Sequence, residues 1–383
     1  MNFGWTPEQL DLRRRVITFA ETWLNGDIVA RDRDGEFPRE AWNACGTFGL
    51  LGLNVPHAYG GGEHDPLTII AALEALGYGC RDNGLTFAVC AHVTSLLPTF
   101  IEFASEAHKQ RFLPGLCRGT TIACDAMTEP ETGSDAFAMR TTAVKDGDVY
   151  VLNGSKTYLT FAPIADVYLV YALTKPGAGS WGASLFLIER GTPGLEVGAV
   201  KPKMGLRTVP MGEITLRDVR VPVENRIGPE GAGASMFNAA QEWERAGVLA
   251  FQIGRMEKQL EECVAFARER KAFGQSIGKF QSLSNRIAEM KLRLETARLL
   301  TYRAAWRKSR GEPAMLDAAL AKLHLSEAFV ESSLDAIRIH GGRGYVTEEE
   351  IERDLRDAIG GPIYGGTSDI QRNIIARILG LPA

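Results

Sequence analysis

The hydrophobic periodicity of the chain changes twice, and this change constrains the fold more than any other feature of the sequence. From Thr6 to about Cys117, apolar residues recur every three to four positions, as in PEQLDLRRRVITFAETWL, which predicts helices. From about Thr120 to Glu230 they alternate or form short blocks, as in DVYVLNGSKTYLT, which is typical of strands separated by turns. The helical period returns after Gly228 and continues to the end.

This order predicts an α+β protein with an N-terminal helical domain over 1–118, a central β domain over 119–230 and a C-terminal helical bundle over 231–383. The turns DGD, NGS and GAGS favour an antiparallel sandwich or barrel over a parallel sheet with crossover helices. One bundle seam follows alternating three- and four-residue steps: Ile287, Met290, Leu294, Ala297, Thr301 and Ala304.

The composition excludes several classes of function. Lys plus Arg is 43 and Asp plus Glu is 47, so the net charge of -4 offers no basic surface for nucleic acid or an anionic membrane. Apolar runs such as VYLVYAL are shorter than the roughly 20 residues of a spanning helix, and the N-terminus does not resemble a signal peptide, so we expect a cytoplasmic protein. The six cysteines lack a CxxC pair and the histidines lack an HExxH spacing, so we expect buried thiols and no metal site.

Common catalytic patterns are absent from the sequence. It contains no GxxxxGK[ST] loop, no GxSxG elbow between a strand and a helix, and no GxGxxG after a strand. Kinase, hydrolase and Rossmann interpretations therefore lose most of their support.

Five short segments carry information together, although each alone is equally compatible with an ordinary turn or with core packing. They are MTEPETGSD from Met127, NGSKTYLT from Asn153, RKAFGQSIGKFQ from Arg270, IHGGRGY from Ile339 and IYGGTSDIQ from Ile363. In this order and at these separations they resemble the acyl-CoA dehydrogenase family over essentially the whole chain. The resemblance implies an N-terminal helical domain, a central antiparallel β domain, a C-terminal four-helix bundle, and a homotetramer with one FAD per subunit.

The resemblance also places two groups of residues at the FAD. The first group would lie at the isoalloxazine ring and the pyrophosphate, with tryptophan common in relatives in place of Tyr158: Met127, Thr128, Gly133, Ser134, Tyr158 and Thr160. The second would hold the adenosine half of FAD bound mainly to a neighbouring subunit, or complete the site at the start of the last helix: Arg270, Phe273, Gln281, Arg338, Gly342, Thr367 and Asp369. Many relatives have glutamine in place of Arg338.

The implied reaction removes the α-proton of an acyl thioester and transfers the β-hydrogen as hydride to flavin N5. Because the α-carbon is a poor acid, a positioned carboxylate is needed. Many family members carry it within IYEGT, but this chain has IYGGT, with Gly365 at that position. A second branch, which includes isovaleryl-type and long-chain enzymes, carries its glutamate on the first long bundle helix immediately before an arginine. Here Glu244 precedes Arg245.

Helical spacing supports Glu244 independently, because the residue interrupts an apolar stripe that includes Ala240, Val248 and Phe251, whereas Glu242 falls on a face that we expect to be solvated. Partial desolvation would raise the pKa of such a carboxylate toward the range of a base. We hypothesise that Glu244 takes the α-proton, while the backbone N–H of Gly365 and a ribityl hydroxyl of FAD hold the thioester oxygen. The structural alternative is a glutamate that pairs with a basic residue at the bundle seam.

Several stretches, including GCRDNGLTFAVCAH and MKLRLETARLLTYRAAW, look closest to the branch that acts on acyl groups carried by peptidyl or acyl carrier proteins. CoA and a carrier protein share a pantetheine arm, so either thioester remains open, as do electron-transfer flavoprotein and O₂ as electron acceptors. Two other classes also remain: a flavin monooxygenase or nitroalkane-type oxidase on the same fold, and a catalytically silent thioester-binding subunit, which the glycine at position 365 makes conceivable.

Overall fold

The computed structural model describes residues 4–382, and its N-terminal region is helical. Thr6 caps the first helix as expected, because its hydroxyl accepts a hydrogen bond from Gln9 N at 3.2 Å while Gln9 Oε1 accepts one from Thr6 N at 3.1 Å. The helices are α1 (Pro7–Trp23), α2 (Ile28–Asp34), α3 (Arg39–Phe48), α4 (Pro66–Gly79), α5 (Asn83–Ala91), α6 (Leu97–Phe103) and α7 (Glu106–Arg118).

A π-helical segment, His92–Leu96, joins α5 to α6 into one long helix. Pro98 at the start of α6 explains the wider turn, because proline has no N–H and its ring would collide with the carbonyl four residues earlier. The combined helix, Asn83–Phe103, spans 21 residues, and its most apolar 18-residue window has a mean hydropathy of 1.5, so by length and composition it could cross a membrane. We expected only shorter apolar stretches, and this was wrong. Polar residues interrupt each continuous apolar run in this helix, but the mean hydropathy over the window remains high. Within that window, 83% of the residues are buried inside the protein.

The central region forms one sheet in which β1 pairs with β4 beside the strand order β6-β7-β3-β2-β4-β5-β8. The strands are β1 (Ala123–Ala126), β2 (Thr142–Asp146), β3 (Val149–Thr160), β4 (Val167–Leu173), β5 (Ala183–Glu189), β6 (Leu195–Val197), β7 (Met211–Pro222) and β8 (Arg226–Ile227). Most pairs are antiparallel as predicted, but β1 and β2 each pair parallel with β4. Parallel pairing is possible there because long stretches of chain separate these strands.

The C-terminal region contains a helical bundle. Its elements are α8 (Gly233–Gly247), α9 (Ala250–Glu269), a small hairpin of β9 (Lys271–Ala272) and β10 (Gln275–Ser276), α10 (Gln281–Ser309), α11 (Met315–His340), α12 (Ile351–Ala358) and α13 (Ser368–Ile378). The predicted seam is buried from Met290 through Ala304, and only Ile287 at its start is partly exposed. The six cysteines are buried and free, as expected.

Two glycines allow α4 of the N-terminal region to pack directly on α9 of the bundle. A Cβ on Gly77 would lie 1.9 Å from the carbonyl oxygen of Phe251, and a Cβ on Gly254 would lie 1.9 Å from that of Glu74. Both distances are far below van der Waals contact, and the opposing atoms belong to helical backbones that cannot move aside alone. The orientation of the two regions therefore depends on these glycines.

We expect Gly77→Ala to lower the free energy of unfolding by at least about 2 kcal/mol, because the added methyl group forces α4 and α9 apart. Thermal and urea unfolding would measure the loss. Gly26→Ala is the matched control, since the nearest atom to its added Cβ is Arg31 Nη1 at 3.9 Å. Equal stability of the two variants would show that the helix contact tolerates a side chain.

Candidate active site

Glu244 lies near the C-terminal end of α8, and its partly buried side chain faces the protein interior. Ser95 Oγ donates a hydrogen bond to Glu244 Oε2 at 2.8 Å, and the side-chain amide of Gln241 donates a second one to the same oxygen. Burial raises the pKa of Glu244, and the hydrogen bond from Ser95 and the charges of Arg245 and Lys322 oppose this rise only in part. The carboxyl group is thus fixed in position and poised to accept a proton.

The π-helical segment supplies the Ser95 hydroxyl, which sequence reasoning missed because a single π turn leaves no periodic signal. The expectation that Glu242 shares a solvated face was also incorrect: Glu242 is only partly exposed, and Arg245 on that face is buried. Arg245 instead points its Nη1 at the sulfur of Met315, 3.4 Å away. The helix is therefore covered on more sides than the sequence pattern indicated.

Gly365 lies beside Glu244, and the region around these two residues is the candidate pocket. A Cβ built on Gly365 would lie 3.4 Å from Glu244 Oε1. The two positions at which family members carry the base therefore converge on one point in space, although 121 residues separate them in sequence. Gly365 adopts φ +63, a left-handed conformation that disfavours any side chain. Because Gly365 has no side chain, the space beside its backbone is free for the Glu244 carboxyl group.

The loop that carries Gly365 is held by two buried side chains. Lys322 Nζ donates hydrogen bonds to the carbonyl oxygens of Gly361 at 2.8 Å and Gly366 at 2.6 Å. The amide of Gln371 donates to the carbonyl oxygens of Gly365 at 3.2 Å and Gly366 at 3.0 Å. With its carbonyl groups engaged inside the protein, the loop holds the Gly365 backbone in a defined position beside Glu244.

Two segments that carry the first predicted cofactor group are connected at Lys156, which lies fully buried in β3. Lys156 Nζ donates to the carbonyl oxygen of Met127 at 3.0 Å and to Glu129 Oε1 at 2.9 Å. The backbone N–H of Thr157 donates to the carbonyl oxygen of Thr128 at 2.9 Å. The segment after β1 and the end of β3, which the resemblance assigned to the flavin, therefore form one surface.

This surface has the features of a cofactor cradle. Tyr158 has φ +57 at a register shift between β3 and β7, and its ring is 63% exposed. Thr160 at the end of β3 is partly exposed, Ser134 is exposed, and a Cβ on Gly133 would meet no atom within 4 Å. Apart from Lys201, whose Nζ lies 5.9 Å from the centre of the Tyr158 ring, this strained aromatic residue and the open glycine are left uncovered, so these residues fit an FAD lying across them.

Most of the second predicted group lies at the other end of the bundle, and Thr367 and Asp369 are the exceptions. Phe266 near the end of α9 stacks on His340 at the end of α11, with ring centroids 4.4 Å apart, so the exposed Arg270 and Gly342 lie at the same end. Phe273 is 96% exposed on the hairpin. The remaining members are placed as follows: Gln281 begins α10 and is exposed, Arg338 pairs with Asp335, Thr367 caps α13, and the exposed Asp369 pairs with Arg372.

Within one chain the two groups stay apart. Lys322 binds the Gly365 loop, and Arg338 is 16 residues further along α11, about 24 Å at the rise of an α-helix. Thr367 and Asp369 lie near the Glu244 end instead. Arg338 and the exposed residues near it, which the resemblance assigns to the adenosine half, are thus separated from Glu244 and the Gly365 loop by much of the length of α11.

Comparisons with known proteins identify the family. Models of the N-terminal, middle and C-terminal domains of acyl-CoA dehydrogenase match residues 6–120, 124–219 and 231–380. The chain belongs to the acyl-CoA dehydrogenase family, which confirms the predicted three-part α+β fold. The protein is therefore an oxidoreductase, and the prediction of an FAD-dependent thioester dehydrogenase is confirmed.

Individual relatives and solved structures are similar to this chain over its whole length. The chain is 42% identical over 381 residues to L-prolyl-[peptidyl-carrier protein] dehydrogenase of Serratia sp., covering 100% of this chain and 99% of the relative. It superimposes on the prolyl acyl carrier protein oxidase AnaB with a TM-score of 0.97, 47% identity and coverage of 99% and 100%. PigA with FAD and proline gives a TM-score of 0.97 at 42% identity over 100% of both chains.

We expect Lys156→Met to lower stability by about 3–5 kcal/mol, because it leaves the Glu129 carboxylate buried without its cation. The purified variant should also retain less FAD, since the Met127 backbone loses its hydrogen bond. Melting temperature and flavin content would be measured against Lys145→Met, which removes an exposed lysine from β2. Unchanged flavin content in Lys156→Met would contradict the structural role of this ion pair.

Proposed function

We propose that the protein dehydrogenates an L-prolyl or similar aminoacyl group carried as a thioester on a carrier protein in the cytoplasm, with Glu244 as the base. The observation that carries the proposal is the convergence of Glu244 and Gly365, which provides one carboxyl group and one open backbone position at the same point. The substrates named for the Serratia and AnaB relatives support the choice of a carrier-bound prolyl group.

The residues of the chain would act as follows. Glu244 accepts the α-proton, and Ser95 and Gln241 keep its carboxyl group aimed into the pocket. The N–H of Gly365 donates to the thioester oxygen and stabilises the negative charge that develops there. Bound FAD supplies the acceptor for the β-hydrogen. A catalytically silent subunit would have no need for a partly desolvated glutamate held by two donors, so the pocket favours catalysis.

The residues for the adenosine half of FAD would serve a neighbouring subunit. About 24 Å of α11 separates Arg338 from the loop at Glu244, and Phe273 exposes an aromatic ring that its own chain leaves uncovered. Both observations favour a homo-oligomer, with a tetramer as our proposal, in which each FAD lies between two chains.

Glu244→Gln tests the base. We expect flavin reduction by an L-prolyl carrier-protein thioester to slow by about 10²- to 10⁴-fold while FAD stays bound, because glutamine donates and accepts hydrogen bonds but takes no proton. Anaerobic stopped-flow absorbance of the flavin measures the rate. Glu242→Gln, two residues away on the same helix, is the control and should reduce at the rate of the unaltered protein.

Rapid bleaching of the Glu244→Gln flavin would reject this residue as the base.

A separate experiment identifies the electron acceptor. The reduced, unaltered enzyme is mixed with O₂ or with electron-transfer flavoprotein, and the faster reoxidation of the flavin marks the physiological partner.

Phe273→Ser tests the shared cofactor. We expect this variant to lose FAD during gel filtration and to shift to a smaller assembly, because a polar side chain removes apolar area from the proposed contact. Light scattering and flavin absorbance would give mass and occupancy. Trp23→Ser removes another exposed aromatic residue, 68% exposed on α1, and serves as the control. A Phe273→Ser protein with unchanged mass and flavin content would refute the role of the hairpin.

A further inference from the structure

Asp125 places a second carboxyl group near the pocket. It lies on β1 two residues after Ala123 and two residues before Met127, which directly follows the strand, and side chains two residues apart point to the same face of a strand. Ala123 and Met127 are buried in the apolar cluster that also contains Leu169 and Tyr171 of β4. Parallel pairing puts Asp125 directly beside Leu169, so the carboxyl group interrupts this apolar face.

The same face looks toward Glu244. Phe237, two turns before Glu244 on α8, packs edge-on against Tyr171 with ring centroids 5.7 Å apart. Burial raises the pKa of Tyr171, and the charges of Asp125 and Glu244 raise it further, so both acids lie close enough to act on the phenol. Asp125 and Glu244 therefore both lie near the Tyr171 ring. Met127, which the resemblance places at the flavin, directly follows β1 and is two residues from Asp125.

Asp125 has no counter-ion of its own at hydrogen-bond distance. Its Oδ1 atom is buried and has no hydrogen-bond partner among residues 4–382. Lys156 is the nearby cation, but its Nζ is already bonded to Met127 and Glu129. Burial, and then the charge of Glu244, raise the pKa of Asp125 to about 7. A carboxyl group in this position is costly unless a ligand pairs with it.

We propose that Asp125 binds the protonated amine of the acyl group and thereby selects aminoacyl thioesters over neutral acyl thioesters of the same shape. This inference rests on the proposed function, since it assigns a recognition residue to that same pocket. A cationic amine on the α-carbon would lie between two carboxyl groups and neutralise them. A neutral acyl group would leave the buried Oδ1 atom of Asp125 unpaired, and sites built for a polar group reject analogues that lack it.

The test measures binding separately from catalysis. Two amide analogues of the pantetheine thioester, one L-prolyl and one cyclopentanecarbonyl, have the same ring size and differ in the amine. Calorimetry on the FAD-loaded, full-length protein gives their dissociation constants without turnover, because an amide α-hydrogen is much less acidic. We expect Asp125→Asn to weaken the prolyl amide about 100-fold and to leave the cyclopentanecarbonyl amide unchanged or tighter. Asp148→Asn, an exposed aspartate in the β2–β3 turn, is the matched control.

Each other result overturns the proposal. If Asp125→Asn weakens both amides equally, the residue shapes the pocket without recognising the amine, and if it weakens neither, the amine binds elsewhere. Anaerobic flavin reduction by the prolyl thioester on the unaltered protein tests the proposed function on its own. Reduction by that thioester together with equal amide binding by both aspartate variants would refute the inference and leave the proposed function intact. Reduction by the cyclopentanecarbonyl thioester alone would refute both.

Discussion

The site depends on a carboxyl group that must be removed from bulk water and still be reachable by a substrate. Glu244 meets both conditions because α8 carries it into an apolar region while Ser95 and Gln241 donate hydrogen bonds to one of its oxygens. Without those donors, a buried carboxylate would turn toward water or take up a proton. The π turn ahead of Pro98, the Lys322 contact with the 361–366 loop and the side-chain-free Gly365 all serve this arrangement.

A second buried charge organises the flavin side of the pocket. Lys156 and Glu129 form an ion pair that is closed by the carbonyl oxygen of Met127 and by backbone N–H groups of Arg140 and Thr141. Burial alone would raise the pKa of Glu129, but the charge of Lys156 and these hydrogen bonds outweigh it, so the pKa is lowered and the carboxylate stays ionised. The pair ties the segment after β1 to the end of β3, so the flavin surface is rigid before any cofactor binds.

The order of helices, sheet and bundle could be predicted from periodicity, because each region buries one face and its sequence repeats accordingly. The inward position of Glu244 could also be predicted, since an acid on an apolar stripe violates the pattern. The parallel pairings of β4 were not, because local sequence does not encode which distant strand becomes a neighbour. Ser95 and Gln241 were missed because polar residues on helices are common. Asp125 could also have been identified from the sequence, because it interrupts the apolar run IACDAM just as Glu244 interrupts its apolar stripe.

The two acids of the pocket differ in their surroundings, and this difference assigns their roles. Glu244 has two hydrogen-bond donors and the charges of Arg245 and Lys322 nearby, so its orientation is set before a substrate arrives. Asp125 has one buried oxygen, Oδ1, that lacks a hydrogen-bond donor among residues 4–382, so a ligand can supply the missing donor. Neighbouring titratable groups in unlike environments commonly divide the work of a site. Here Glu244 can act on a proton, and Asp125 can recognise a charge.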